Sequence, residues 1–322
     1  MPSRISKSYL SQSDLTIKIS CLVRAIERSA LPAFHAAPIC FRRDRVEETR
    51  LSKYFEHIQQ MVDLFDDRCD YRYSEHLQAF WEACQDVGLD RGLEGPVCLN
   101  ESGTAYLSYH RSINVLVERI RELTRSQRYR RREDVRRYEA GKLEEGLNEY
   151  VDCLINRYSR TNIIRVNLYY RAEAQARLRI EHVFNDLDRL TAEHERNPIF
   201  EHQIGYICRV EQGDDRGYHI HAAYFFNGNE VRGDIYKAQL IGDLWKRLTR
   251  GRGYYHSCNH RKEAYGERLG IGLIKRDEYS ERRPHVLYAM AYLVKDDQHL
   301  LIKPRGSKRV RKGQAKKSFQ GD

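Results

Sequence analysis

The sequence predicts a mostly helical first part followed by an α/β or α+β second part. Apolar residues at helical spacing dominate up to about residue 150, where strand signals are few. From about residue 162, strand-like runs alternate with helix-like runs, which is typical of helices packed on a sheet. The 322 residues are 41% hydrophobic, so the chain can bury a core, and its length favours two domains.

The first part, residues 1–145, is expected to be a helical accessory region. Apolar side chains recur every three or four residues in 54–65 and again in 106–123, which predicts amphipathic helices. An arginine-rich run follows at 128–137. This run predicts either a surface that contacts phosphates or the solvated face of a helix.

A strand, a helix and a hairpin are predicted in order from residue 163. β-Branched and aromatic residues at 163–170 predict a buried strand. Residues 172–196 show helical spacing, and the Asn-Pro pair that follows is expected to end this helix. Strands at about 202–211 and 218–226 are separated by a run rich in glycine and aspartate, which predicts a hairpin loop.

The elements after the hairpin lead to a helix that carries two tyrosines. A helix is expected near 234–249, and short strands near 254–258 and 270–274. Pro284 comes early enough to lie in the first turn of the tyrosine-bearing helix. These elements define a second domain at residues 146–302.

The hairpin carries a candidate metal site. His219 and His221 are separated by one residue, so on a strand both imidazoles point to the same face. Glu211 ends the preceding strand, and the hairpin brings its carboxylate beside them. Two imidazoles and a carboxylate suit a divalent ion, Mg²⁺ or Mn²⁺, and leave positions open for phosphate oxygens. The alternative is a hydrogen-bonded histidine pair on a half-buried strand.

The tyrosine-bearing helix supplies a candidate nucleophile. Tyr288 and Tyr292 are four residues apart and share a helix face, and Lys295 lies about one turn further on. A divalent ion, a phenol and an ammonium group in one cleft are what phosphodiester transesterification requires. The alternative is that both tyrosines are packing residues with hydrated hydroxyl groups.

Composition limits the partners and the compartment. A net charge of +10 and a pI near 9.1 favour an anionic partner, most commonly nucleic acid. Eight cysteines lie far apart without a C-x-x-C pair, which argues against a zinc cluster and predicts reduced thiols in a cytoplasm. Neither a membrane-spanning run nor a signal peptide is recognisable, so a soluble protein without a membrane partner is expected.

A basic segment ends the chain at residues 303–322. It contains proline and glycine, and the prediction is a disordered tail that adds salt-sensitive DNA affinity or only solubility. Three aromatic residues upstream, Trp245, Tyr254 and Tyr255, could stack on unpaired bases or belong to the core. The basic candidates for DNA contact are Arg165, Arg209, Lys303, Arg305, Lys308 and Arg309.

These motifs resemble those of a known group of enzymes. The triplet His219-Ile-His221 is similar to the paired-histidine motif of HUH endonucleases. The Y-x-x-x-Y-x-x-K run from Tyr288 to Lys295 resembles the tyrosine and lysine motif of rolling-circle replication initiators. Residues 145–305 resemble the initiators of filamentous phages (inoviruses) and their prophage relatives, the YagK/YfjJ family. In some of these relatives a lysine precedes the second tyrosine, where this chain has Ala291.

The resemblance implies an α+β fold with a central antiparallel sheet and flanking helices. It further implies nicking of single-stranded or origin DNA in a bacterial host cytoplasm, with attack by Tyr292 or Tyr288. The product would be a covalent 5′-phosphotyrosine and a free 3′-hydroxyl group, with Lys295 stabilising charge. Because the chain has no P-loop motif, unwinding would fall to a host helicase, and a host polymerase would extend the free 3′ end.

Two other functional classes remain open. One is a non-catalytic DNA-binding regulator of a prophage that kept the same scaffold. The other is a plasmid relaxase or a transposase that uses similar chemistry.

Overall fold

The structure is a computed structural model that describes residues 9–37, 45–65, 70–93, 95–291, 293 and 300–314. Its helices are α1 Gln12–Glu27, α2 Ile58–Asp63, α3 Glu75–Asp86, α4 Tyr109–Arg125, α5 Gln127–Arg157, α6 Ala172–Gln175, α7 Ile180–Ala192, α8 Asp234–Leu248 and α9 Tyr279–Ala291. Its strands are β1 Phe34–Ala37, β2 Arg45–Glu48, β3 Tyr71–Tyr73, β4 Asp90–Arg91, β5 Pro96–Val97, β6 Arg160–Tyr170, β7 Gln203–Gly213, β8 Gly217–Asn227, β9 Gly253–Ser257, β10 Gly272–Lys275, β11 Ile302–Pro304 and β12 Val310–Lys312.

The chain divides into two compact units. The first unit comprises Met1–Arg136 and Leu301–Arg305, and the second comprises Arg137–Leu300 and Gly306–Asp322. The division falls within α5, nine residues before the boundary predicted after residue 145. Within the described ranges, no helix is both long and apolar enough to cross a membrane.

The first unit is mostly helical, as the sequence predicts. Ser11 and Asp14 form a reciprocal cap at the start of α1, in which each side chain accepts from the other's backbone N–H. The apolar stripe of α4, which includes Leu116 and Ile120, is buried beside α1 and α3. Strands of two to four residues, β1 to β5, also occur here. They are too short for the alternation by which a strand is recognised in sequence.

The second unit is built on a six-stranded antiparallel sheet, which confirms the predicted α+β fold with flanking helices. The strand order is β10-β6-β8-β7-β12. On the outer edge of β6, residues 160–163 pair with β10 and residues 166–170 pair with β9. Helices α7 and α8 pack on one face of the sheet. On the other face, α5 and α9 bury an apolar cluster that includes Leu154, Ile163, Phe225 and Val286. The remainder of that second face carries polar side chains.

The five predicted strands of the second unit, β6 to β10, match their predicted positions, but two helix predictions were wrong. The helix expected over 172–196 is interrupted, because the chain leaves helical geometry after α6 and restarts at α7. There, Nδ1 of His182 accepts from the backbone N–H of Arg179. Pro284 lies inside α9 rather than in its first turn, because α9 already begins at Tyr279.

The prediction of a disordered tail was wrong for the described part of it. Ile302–Pro304 pairs with β3, and Val310–Lys312 pairs with the edge of β7. Both pairings are made by backbone hydrogen bonds, and the basic side chains of these segments do not prevent them. The carboxylate of Asp188 also binds the guanidinium group of Arg311. Residues 315–322 lie outside the described part of the chain.

Candidate metal centre and its cleft

Strand register places the candidate site on one face of the sheet in two rows. Residues directly opposite each other in antiparallel strands project to the same face. The first row, nearest the hairpin loop, contains Glu211 on β7, His219 on β8, and Tyr169 and Tyr254 on β6 and β9. The second row contains Arg209, His221, Asn167 and His256 in the same strand order.

The three predicted metal ligands meet at the centre of these rows. Their ligand atoms all lie within 4.8 Å of one another, so they could hold a metal ion. Glu211 Oε2 is 3.0 Å from Nε2 of His221 and 3.6 Å from Nε2 of His219. The two Nε2 atoms are 3.2 Å apart. This part of the sequence prediction therefore corresponds to a compact group of side chains.

Hydrogen bonds to the other ring nitrogens fix the orientation of both imidazoles. Nδ1 of His221 bonds Oδ1 of Asn167, and Nδ1 of His219 bonds the carbonyl oxygen of Gly217 at 3.0 Å. Since both partners are acceptors, each Nδ1 must carry the proton in the neutral ring. Gly217 has φ of +55°, a conformation that glycine adopts without strain and that turns the hairpin.

This arrangement fits a divalent cation. With the protons on Nδ1, two Nε2 lone pairs and a carboxylate oxygen face one another at 3.0 to 3.6 Å. Three acceptors that converge in this way repel unless a cation or a proton lies between them. The acceptors of Asn167 and Gly217 are the outer partners that metal-binding histidines usually have. An imidazole and carboxylate set suits Mn²⁺ or Mg²⁺.

Arg209 balances the negative charge of Glu211. Nε of Arg209 lies 2.9 Å from Oε1 of Glu211, on the side away from the histidines, and both side chains are buried. Burial raises the pKa of Glu211, but when a proton rather than a metal lies between the ligands, hydrogen bonds from both histidines and the charge of Arg209 outweigh burial and lower that pKa to about 2. Burial is also the main cause that lowers the pKa of His221, which favours the neutral ring a metal requires.

A cleft of about 630 Å³ opens above the histidines. Tyr288, from α9, lines this cleft and is 39% exposed. The guanidinium group of Arg268 lies 5.8 Å from the centre of the Tyr288 ring. The cleft also has acidic and basic residues in its lining, namely Arg165, Asp214, Asp215, Arg216 and His256.

Of the predicted nucleophile residues, Tyr292 and Lys295 lie outside the described residues. Arg165 lines the cleft but is only 4% exposed. Arg209 was expected to contact DNA, and this expectation is corrected because its side chain is 0% exposed and bound to Glu211.

The other basic candidates belong to the C-terminal segment. Lys303 is on β11 and Arg305 binds Asp70, both within the first unit. Lys308 is exposed, and Arg309 accepts a backbone hydrogen bond from Val210, both within the second unit. None of these four lines the cleft.

Several cleft residues were missed from the sequence, although a signal was present for one strand. Asn167 and Tyr169 follow the candidate Arg165 at alternate positions of β6, and the residues between them, Val166 and Leu168, are apolar. This alternation indicates one polar face, and Asn167 could have been recognised from it. Arg216 and Arg268 come from loop and 3₁₀ segments, where no periodic pattern exists.

Comparison with known families bears on this site. A family model described as the YagK/YfjJ C-terminal domain matches residues 116–307, more than half of the chain. The chain belongs to the YagK/YfjJ C-terminal domain family. The ligands of the candidate metal centre and the whole cleft lie within this YagK/YfjJ domain. Neither the curated proteins nor the solved structures contain a match.

Proposed function

We propose that this YagK/YfjJ domain is a metal-dependent single-strand DNA nickase and strand transferase of the HUH type. One observation carries the proposal. The ligand atoms of Glu211, His219 and His221 converge within 4.8 Å at a cleft that Tyr288 also lines. A candidate metal centre and a partly exposed tyrosine in one cleft support tyrosine attack on a phosphodiester more directly than they support binding alone.

In the proposed reaction, a tyrosine hydroxyl group attacks the scissile phosphorus. Tyr288 is the candidate that lines the cleft, and Tyr292 is the first choice from the motif because it begins Y-x-x-K. The new bond joins the phenol oxygen to phosphorus, and the bond to the 3′ oxygen breaks. That oxygen takes a proton and leaves as a hydroxyl group, while the 5′ end stays attached as a phosphotyrosine. A divalent ion held by the three ligands supplies Lewis-acid polarisation of the phosphate.

Basic side chains of the cleft stabilise the negative charge of the strand. Arg268 lies beside Tyr288, where its guanidinium group can neutralise the phenolate or the phosphate. This position is relevant because Ala291 replaces the lysine that precedes the second tyrosine in some resembling initiators. Reversal of the attack by the 3′-hydroxyl group reseals the strand, with Lys295 as a further cation in the motif.

The proposed biological role is the initiation of rolling-circle replication of a phage or prophage. The free 3′ end is a primer for a host polymerase, and a host helicase opens the duplex. The net charge of +10 supports an anionic partner. Reversible strand transfer accounts for both the opening and the closing of a circular genome.

The test is formation of a covalent adduct with a randomised pool of labelled single-stranded DNA. We expect a denaturant-resistant adduct with Mn²⁺ or Mg²⁺ and none with a chelator. Tyr288→Phe combined with Tyr292→Phe should abolish it, and His219→Ala should lower it by at least about 100-fold. Tyr236→Phe is the matched control, because Tyr236 is 65% exposed on α8, on the opposite face of the sheet.

The possible outcomes distinguish the proposed nickase from a regulator. An adduct that survives the double tyrosine substitution would disprove the tyrosine mechanism. Sequence-selective DNA binding without any adduct would support the non-catalytic regulator. Sequencing of the attached strands would identify the nicking site directly.

A further inference from the structure

The three aromatic residues considered for base stacking have different surroundings. Trp245 is fully buried and donates its indole N–H to a backbone carbonyl of β6. The ring of Tyr255 packs over Gly242 on the helix-covered face. Tyr254 points to the opposite face, in the first row of the candidate site, and is 38% exposed. Tyr254 alone of these three combines exposure with a position on the metal face.

The ring of Tyr254 is supported by neighbours that lead to the metal ligands. It stacks on Tyr169 with 5.2 Å between ring centres and 27° between planes. Tyr169 in turn lies 5.5 Å from the ring of His219. Arg216 covers Tyr169 at 4.9 Å and donates to its hydroxyl group at 2.6 Å, so Tyr169 is only 3% exposed. The exposed member of this aromatic stack is therefore Tyr254.

Tyr254 also lies on an edge strand that carries a residue of the cleft lining. β9 pairs with β6 on one side, and His256, two residues on, projects to the same face and lines the cleft. Arg216 and Arg268 line the cleft as well. An exposed ring beside a groove that carries arginines is suited to holding unpaired bases, because every base has a face that can stack.

We propose that Tyr254 is the stacking platform for an unpaired base that neighbours the phosphate bound in the cleft. This inference rests on the proposed function and names its substrate as a single strand. Two ring-to-ring steps separate Tyr254 from His219, which suits a nucleotide next to the scissile phosphate. Bases inside a duplex are already stacked on both faces, so the platform selects for unpaired DNA.

The test measures binding by the full chain in a chelator, where no strand is cut. Three labelled ligands of equal length are compared by fluorescence anisotropy: a single strand, a duplex, and an abasic deoxyribose phosphate chain. Tyr254→Ala should weaken binding of the single strand by roughly 5- to 150-fold and leave the other two ligands unchanged. Tyr254→Phe keeps the ring and should bind like the wild type, as should the control Tyr236→Ala.

Two results would overturn the inference. One is a Tyr254→Ala variant that binds the single strand as tightly as the wild type. The other is an equal loss for all three ligands, which would indicate a general charge or folding effect. Equal unfolding temperatures of the variants exclude misfolding. The binding test involves no metal and no cleavage, so it can succeed even if no adduct forms in the nicking experiment. Equally, a negative binding result would not show that the protein is not a nickase.

Discussion

Asn167 and Gly217 determine how the two candidate metal-binding histidines present their nitrogens. Each accepts a hydrogen bond from an Nδ1 atom, so both Nε2 atoms face Glu211. The i, i+2 spacing of His219 and His221 could be recognised in the sequence because strand alternation is local. The role of Asn167 could not be recognised in that way, because it depends on pairing with a residue 54 positions away.

Arg209 and Arg165 show why residue type alone does not identify a DNA contact. Both are arginines on the face that carries the metal ligands, and both were candidates for that role. Arg209 lies beside Glu211 and neutralises it, whereas Arg165 reaches the cleft lining. Arg209 lies opposite His221 of β8 and Val310 of β12, whereas Arg165 lies opposite Ala223 of β8, and these pairings are a property of the assembled sheet.

The buried pair of Glu211 and Arg209 gives a prediction about stability. Glu211→Gln removes the negative charge and leaves the guanidinium group of Arg209 buried without that counter-charge. We expect a loss of about 3–5 kcal/mol in the free energy of unfolding, measured by urea denaturation in a chelator.

The double variant Glu211→Gln with Arg209→Met provides the control for this prediction. It removes both charges, so it should recover a large part of the stability that Glu211→Gln loses. A single variant as stable as the wild type would contradict the importance assigned to this pair.

At the scale of elements, α8 and β9 are joined by a close contact at a helical glycine. A Cβ atom added at Gly242 would come within 2.3 Å of the ring of Tyr255, the neighbour of Tyr254 on β9. Gly242 thus allows α8 to pack against the strand that carries the proposed stacking platform.

Replacement of Gly242 by alanine should therefore destabilise the protein, although alanine has a higher helix propensity than glycine. Alanine normally stabilises a helix by roughly 1 kcal/mol relative to glycine, but Gly242→Ala should destabilise by about 1–3 kcal/mol through overpacking. Gly141→Ala on α5 is the matched comparison, because nothing lies within 4 Å of its added Cβ atom. Thermal unfolding should show opposite shifts for the two variants, and equal shifts would contradict the packing argument.

The hairpin and the C-terminal strands show which elements the sequence can predict. The β7–β8 hairpin was recognised because its turn residues and both strands are adjacent in the chain. β12 was not, because its pairing with β7 joins segments about 100 residues apart and involves a short basic strand. A strand of three residues is too short to show a periodic apolar pattern, so its pairing with a distant strand cannot be read from the sequence.

At the scale of the whole molecule, the limits of the family match differ from those of the compact units. The match begins at residue 116, within α4, and ends at residue 307, before β12. A fragment cut at these limits would expose the apolar face of the remaining part of α4, which is buried beside α1 and α3. It would also leave the edge of β7 unpaired, and both features favour aggregation.

We therefore expect a fragment of residues 137–322 to behave better than one of residues 116–307. The first contains the compact second unit and should unfold cooperatively, with a higher unfolding temperature when Mn²⁺ is added. Circular dichroism and sedimentation would compare the two fragments. A more stable and more soluble 116–307 fragment would show that the division at Arg136 is not a folding boundary.

The register of the central strands also decides which changes in chain length the protein can accept. Gain or loss of one residue within β7 or β8 would turn the side chains beyond it toward the face that α7 and α8 cover. An insertion between Asp214 and Arg216 lies beyond the last strand pair, Gly213 with Gly217, and leaves both rows in place. Natural insertions in relatives should therefore collect at this loop, where they would alter the rim of the cleft without displacing its histidines.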